Sequence, residues 1–124
     1  MERLNHTHYL FNLKDLSDKR GGLVVIEGQN NVPIEISRVF YIYATKHKTL
    51  RGNHANIHSR FVMISVAGSC VIEVDDWINK KEYLLDSPLK ALFINKMIWK
   101  TMKEFSPDNV LLVLSDSFYD ETNN

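Results

Sequence analysis

The chain has 124 residues, 44% of them hydrophobic, and its 15 Lys and Arg balance 15 Asp and Glu for a formal net charge of zero. That length holds one domain with a real core, spanning 1–124, and is too short for two. The charge balance excludes recruitment of nucleic acid or an anionic membrane by long-range attraction, while a local cluster of arginines can still hold a phosphate.

The N-terminal stretch MERLNHTHYLFNLKDL interrupts its apolar residues with charges and has no cleavage-site pattern. No run approaches the roughly 18 apolar residues of a membrane span. His6 and His8 in NHTHY read as exposed terminal residues, and NLKDLSDKR reads as either a short helix or an edge strand.

Beyond residue 20 the chain is a series of short strands separated by turn signals. LVVIE (23–27) is followed by GQNN, and PIEISRVFYIY (33–43) alternates and is rich in β-branched and aromatic residues. RFVMISVA (60–67), CVIEVDD (70–76), EYLLD (82–86), ALFIN (91–95), IWKTMKEF (98–105) and VLLVLSD (110–116) complete the set. Gly68 and Ser69 between two alternating runs read as a tight hairpin, and DSPL and FSPDN supply proline turns. This pattern predicts an all-β antiparallel sandwich or barrel. The single cysteine, Cys70, reads as a small buried hydrophobe and cannot form an internal disulfide, which fits a cytoplasmic, unexported protein.

RGNHANIHSR (51–60) carries the polar signal. In a strand, residues two apart share a face. Tyr41 and Tyr43 therefore point the same way, as do His54, Asn56 and His58 if that stretch is extended. Small β-barrels enclose a ligand when side chains do not fill them, so these groups, with Arg51, are candidates for one cavity. Taken singly, the tyrosines also read as half-buried sheet residues and each histidine as a satisfied polar residue. A metal-binding barrel of the cupin kind needs His-x-His, then a carboxylate, then a further His. Here His54 fits, but Asn56, Arg60 and Lys100 stand where ligands are required. Cations at ligand positions repel a divalent metal, so no metal is expected.

DKRGGL (18–23), VVIE (24–27), PIEISRVFYIY (33–43), RGNHAN (51–56), the Gly-Ser turn, LDSP (85–88), IW (98–99), FSPD (105–108), VLLVLS (110–115) and YDET (119–122) together carry a resemblance. In this order the chain resembles the WxcM-like or FdtA-like sugar 3,4-ketoisomerases, over nearly its whole length. The resemblance implies a cupin jelly-roll, double-stranded and antiparallel. It also implies a homodimer with its N-terminal segment exchanged, isomerase activity without metal or cofactor, and a role in making deoxysugars for bacterial surface glycans. The implied substrate is thymidine-diphosphate-linked 4-keto-6-deoxyglucose.

Moving a carbonyl from C4 to C3 requires taking a proton from C3, passing through an enediol, and returning a proton to C4. A histidine, with an ordinary pKa near 6.5, can be base and then acid in one turnover. By the resemblance His54 is that residue, with Tyr41 or Tyr43 hydrogen-bonding the sugar oxygens. Arg51 and Arg20 are candidates for the diphosphate, whose geometry suits guanidinium forks, and His58 and Arg60 are further substrate-binding candidates. The family's second histidine is replaced by Asn56, and its Lys, Glu and Gln by Ile57, Arg60 and Phe61. Asn accepts and donates hydrogen bonds but cannot shuttle a proton. The departure leaves open a substitute at His58, or a nucleotide-sugar-binding cupin without isomerase activity.

Overall fold

The computed structural model describes residues 7–119. Nine strands form, and no helix, among the described residues: β1 (His8–Asn12), β2 (Arg38–Tyr43), β3 (Arg51–Ala55), β4 (Phe61–Ala67), β5 (Cys70–Asp75), β6 (Lys80–Leu85), β7 (Lys90–Ile94), β8 (Trp99–Lys103) and β9 (Val110–Ser115). They make two antiparallel sheets, one ordered β1-β7-β4-β9-β2 and the other β3-β8-β5-β6. This is the all-β antiparallel sandwich expected from the alternation, with the jelly-roll form that the resemblance implies.

The turns connect differently from a simple meander. Only β5 and β6 are consecutive in both sequence and sheet. The Gly68–Ser69 turn therefore corrects the hairpin expectation: it joins β4 to β5, which lie in different sheets, and so turns the corner of the sandwich. Gly68 has φ +64°, and a Cβ there would lie 2.8 Å from the Cα of Asn109. A side chain at that corner would meet both strain and backbone.

The core has two layers. Between the sheets, Phe61, Met63, Ile72, Val74, Leu92 and Leu111 pack together. On the far side of the five-stranded sheet, Val62, Ile64, Phe93 and Leu114 pack against Leu13, Val32 and Ile34. The segment between β1 and β2 thus covers the sheet's outer face, which is why β4 is buried on both sides and reads as a continuous apolar run rather than an alternating one. LVVIE belongs to this strap and is not a strand. Its Val24 and Ile26 pack onto the sheet's outer face, away from any edge that could pair its backbone in a ladder.

The N-terminal segment resolves as an edge strand, β1, paired in its own chain with β7 in the register His8↔Ile94 to Asn12↔Lys90. Beyond Asn12, which ends β1, the rest of NLKDLSDKR forms neither helix nor strand, and Asp18 makes an isolated bridge to Gly21 just after it. His6 lies outside the described residues. His8 corrects the expectation of an exposed terminus: its side chain is 12% accessible, and its Nδ1 lies 2.7 Å from the Tyr83 hydroxyl. Cys70 is buried, as expected.

Candidate active site

Between the sheets lies a cavity of about 640 Å³, walled by Arg38, Phe40 and Ile42 from β2, Arg51, Gly52 and His54 from β3, and Lys100 and Met102 from β8, with Asn56, Phe61 and Tyr119 completing it. That size suits a small organic ligand. Its polar groups are mostly nitrogen donors, a chemistry fitted to an anion.

His54 is placed by an irregularity in β3. The register with β8 slips between Gly52 and His54, where Gly52 (φ +75°) and Asn53 (φ +57°) both turn left-handed. The bulge folds the Gly52 carbonyl back to 2.6 Å from His54 Nδ1. A carbonyl only accepts, so Nδ1 carries a proton, and in the neutral ring the lone pair is on Nε2. A Cβ on Gly52 would sit 3.1 Å from the Lys100 carbonyl and from the Met102 side chain, so the bulge depends on this glycine.

Lys100 is the direct cross-strand partner of His54 and shares its face. It is 3% exposed, donates from Nζ to Asn56 Oδ1, and holds its ammonium 4.4 Å from the centre of the Phe61 ring. Burial, followed by the nearby Arg38 charge, lowers its pKa from 10.5 to about 8. Arg38 stands over the rings of Phe40 and Tyr119, and its Nη2 lies 3.3 Å from Ser115 Oγ. Burial lowers its pKa too, although a guanidinium stays charged.

The cavity gathers His54, Asn56 and Arg51 as the sequence suggested. It does not gather the others. Tyr41 and Tyr43 are corrected: strand parity puts Arg38, Phe40 and Ile42 inward, and the two tyrosines outward at 63% and 66% exposure. His58 is exposed beyond the end of β3, where the chain bends. Arg60 is bound to Asp116 at 2.7 Å and lines a separate groove with Tyr9 and Phe11. Arg20 is exposed in the strap, gripped by Asp18. Arg38 and Lys100 were missed as site residues. Their signal is a charge set at a core-facing position within an otherwise apolar strand face.

A jelly roll with one oriented imidazole, a buried amine and arginines around a ligand-sized cavity defines a small-molecule site able to hold an anion and move protons. No group of three or more His, Cys, Asp or Glu that could hold a metal comes together among the described residues.

The FdtA family, described as WxcM-like, C-terminal, matches residues 6–124, and the chain belongs to it. It is 41% identical over 113 residues to the TDP-4-oxo-6-deoxy-alpha-D-glucose-3,4-oxoisomerase of Aneurinibacillus thermoaerophilus, covering 91% of this chain and 81% of that protein. Its fold matches the crystal structure of WlaRA, a TDP-fucose-3,4-ketoisomerase from Campylobacter jejuni, with TM-score 0.89 and 40% identity over 95% of this chain and 87% of that one. It also matches a histidine-to-asparagine mutant of the 3,4-ketoisomerase QdtA from Thermoanaerobacterium thermosaccharolyticum in complex with TDP-4-keto-6-deoxyglucose, with TM-score 0.91 and 34% identity over 95% of this chain and 86% of that one.

Proposed function

We propose that this chain is a 3,4-ketoisomerase that converts thymidine-diphosphate-linked 4-keto-6-deoxyglucose to its 3-keto isomer, using His54 as the base. The observation that carries this reading is the Nδ1 hydrogen bond to Gly52, which leaves the Nε2 lone pair free on an imidazole lining the cavity. Nε2 takes the C3 proton, the C4 carbonyl becomes the enediol oxygen, and the imidazolium returns a proton to C4. No electrons leave the substrate, so the reaction needs no redox cofactor. Arg51, exposed on the cavity wall, and Arg38, deeper in it, offer guanidinium forks to the diphosphate.

The working form we propose is a cytoplasmic homodimer with neither nucleic acid nor membrane as partner. The outer stripe of Val39, Tyr41 and Tyr43 on edge strand β2 supports an association face. Among the described residues no helix is long and apolar enough to cross a membrane. Products of this kind feed deoxysugar glycans of the bacterial surface.

Asn56 favours one second reading, a nucleotide-sugar-binding cupin without turnover, because an amide cannot exchange a proton. Incubating the purified protein with the TDP-linked 4-keto sugar separates the two. The ketoisomerase reading expects a 3-keto product to accumulate, and binding by calorimetry without any product would establish the binding module instead.

A further inference from the structure

A lysine is rarely buried without a carboxylate to pair with. Lys100 is buried in the cavity wall and, among the described residues, takes part in no ion pair. Its ammonium instead meets a neutral amide oxygen and an aromatic face. Neither partner offsets desolvation as a carboxylate does, so the position is costly for stability and calls for a role in the cavity it lines.

The ketoisomerase reaction moves two protons. One passes from C3 to C4, and His54 serves it. The other passes between the sugar oxygens, from O3 to O4, and needs a second group that can both give and take a proton. Asn56 cannot do this, Tyr41, Tyr43 and His58 are outside the cavity, and Tyr119, which lines it, has its ring under the Arg38 guanidinium. Lys100 is directly across the strand pair from His54, on the same face.

We propose that Lys100 is a second catalytic residue, which carries the hydroxyl proton between O4 and O3, and that Asn56 is a positioning residue that holds its amine. This rests on the ketoisomerase reading. As His54 breaks the C3–H bond, that electron pair forms the C3=C4 bond and the carbonyl π pair moves to O4. The Lys100 ammonium gives O4 a proton and becomes an amine. The amine then takes the proton of O3–H, C3=O forms, and the C3=C4 pair takes a proton at C4 from the His54 imidazolium. Both side chains end in their starting states, with no net gain or loss of electrons.

The charged and titratable groups around the amine set when it can act. Arg38 comes from β2, His54 and Arg51 from β3, and Tyr119 from the C-terminal segment. The facing residues of β4 and β5 are Phe61 and Val74, both apolar. Among the described residues no carboxylate stands in this neighbourhood, which keeps the amine easily deprotonated, near the pH at which an acid–base group works best.

The experiment compares wild type with Lys100→Arg, Lys100→Met and Asn56→Asp, using the TDP-linked 4-keto sugar and checking that each variant unfolds cooperatively. Arg keeps the charge and reach but does not release its proton. We expect kcat to fall by about 10²- to 10⁴-fold in both Lys100 variants, with KM changed far less in Lys100→Arg. In wild type kcat/KM, which reports the free enzyme, should fall as pH rises through about 8. Asn56→Asp should move that limb to higher pH, because a carboxylate favours the ammonium. A Lys100→Arg enzyme within threefold of wild type would make the residue a simple cation and overturn the proposal, as would a limb that Asn56→Asp leaves in place. Wild type that yields no 3-keto product refutes the ketoisomerase reading, and this assignment with it.

Discussion

His54 donates its Nδ1–H to the carbonyl of Gly52, two residues earlier and 2.6 Å away. The bond spans a β-bulge, so the imidazole is aimed by the backbone rather than by another side chain. Gly52→Ala should therefore damage catalysis more than folding. Its Cβ would press on the Lys100 carbonyl and Met102 at 3.1 Å, at φ +75°. A displacement of this kind costs on the order of 10²-fold in rate. Steady-state kinetics beside thermal unfolding would check it, with kcat/KM expected to fall and the fold to persist.

Arg51→Ala should weaken substrate binding with little effect on the chemical step. Arg51 is exposed on the cavity wall, and a hydrogen bond to a charged group contributes about 1.5–3 kcal/mol. Exposure puts the expected loss at the low end, roughly tenfold in KM and in the dissociation constant for TDP. Calorimetry with TDP alone measures it apart from turnover.

His8 links stability to pH. Burial lowers its pKa below the ordinary 6.5, outweighing the attraction of Asp76, which raises it; Lys81 lowers it further. The folded state thus favours neutral His8. Its contribution is fully present above about 6.5 and is lost as pH falls from there through the lowered folded value. Compared with His8→Gln, wild type should lose melting temperature between pH 7.5 and 5. A temperature difference between the two that stays constant over that range would contradict this.

Gly68→Ala should destabilise the fold without touching the cavity. A non-glycine residue in the left-handed region costs on the order of 1–3 kcal/mol, and here the Cβ also meets the Asn109 backbone at 2.8 Å. Urea unfolding should show a lower midpoint with an unchanged slope.

Much of this architecture could be read from local pattern, because strands alternate and turns carry glycine and proline. What local pattern could not supply is which strand lies beside which. RFVMISVA was readable as a strand, but its burial on both faces depends on a strap contributed by residues far away in sequence. LVVIE has a strand's composition and still makes no ladder, since it lies over a sheet rather than in one. The site shows the same boundary. RGNHA is a local motif, and its His54 and Arg51 both line the cavity. Tyr41 and Tyr43 have the chemistry of site residues, but the register that sends Arg38 inward instead is set by pairing with β9. Lys100 was legible only as a charge that repels metal, since its contact with Asn56 spans 44 positions of sequence.

The central claim, that His54 moves the ring proton, is tested most directly by proton NMR of the TDP-linked 4-keto sugar in deuterated water, with wild type and His54→Asn compared. Wild type should lose the C3 proton and deliver hydrogen or deuterium to C4 as the 3-keto product forms. His54→Asn should bind TDP within about tenfold of wild type while its turnover falls by roughly 10²- to 10⁴-fold. Isomerisation at the wild-type rate in His54→Asn would contradict the account.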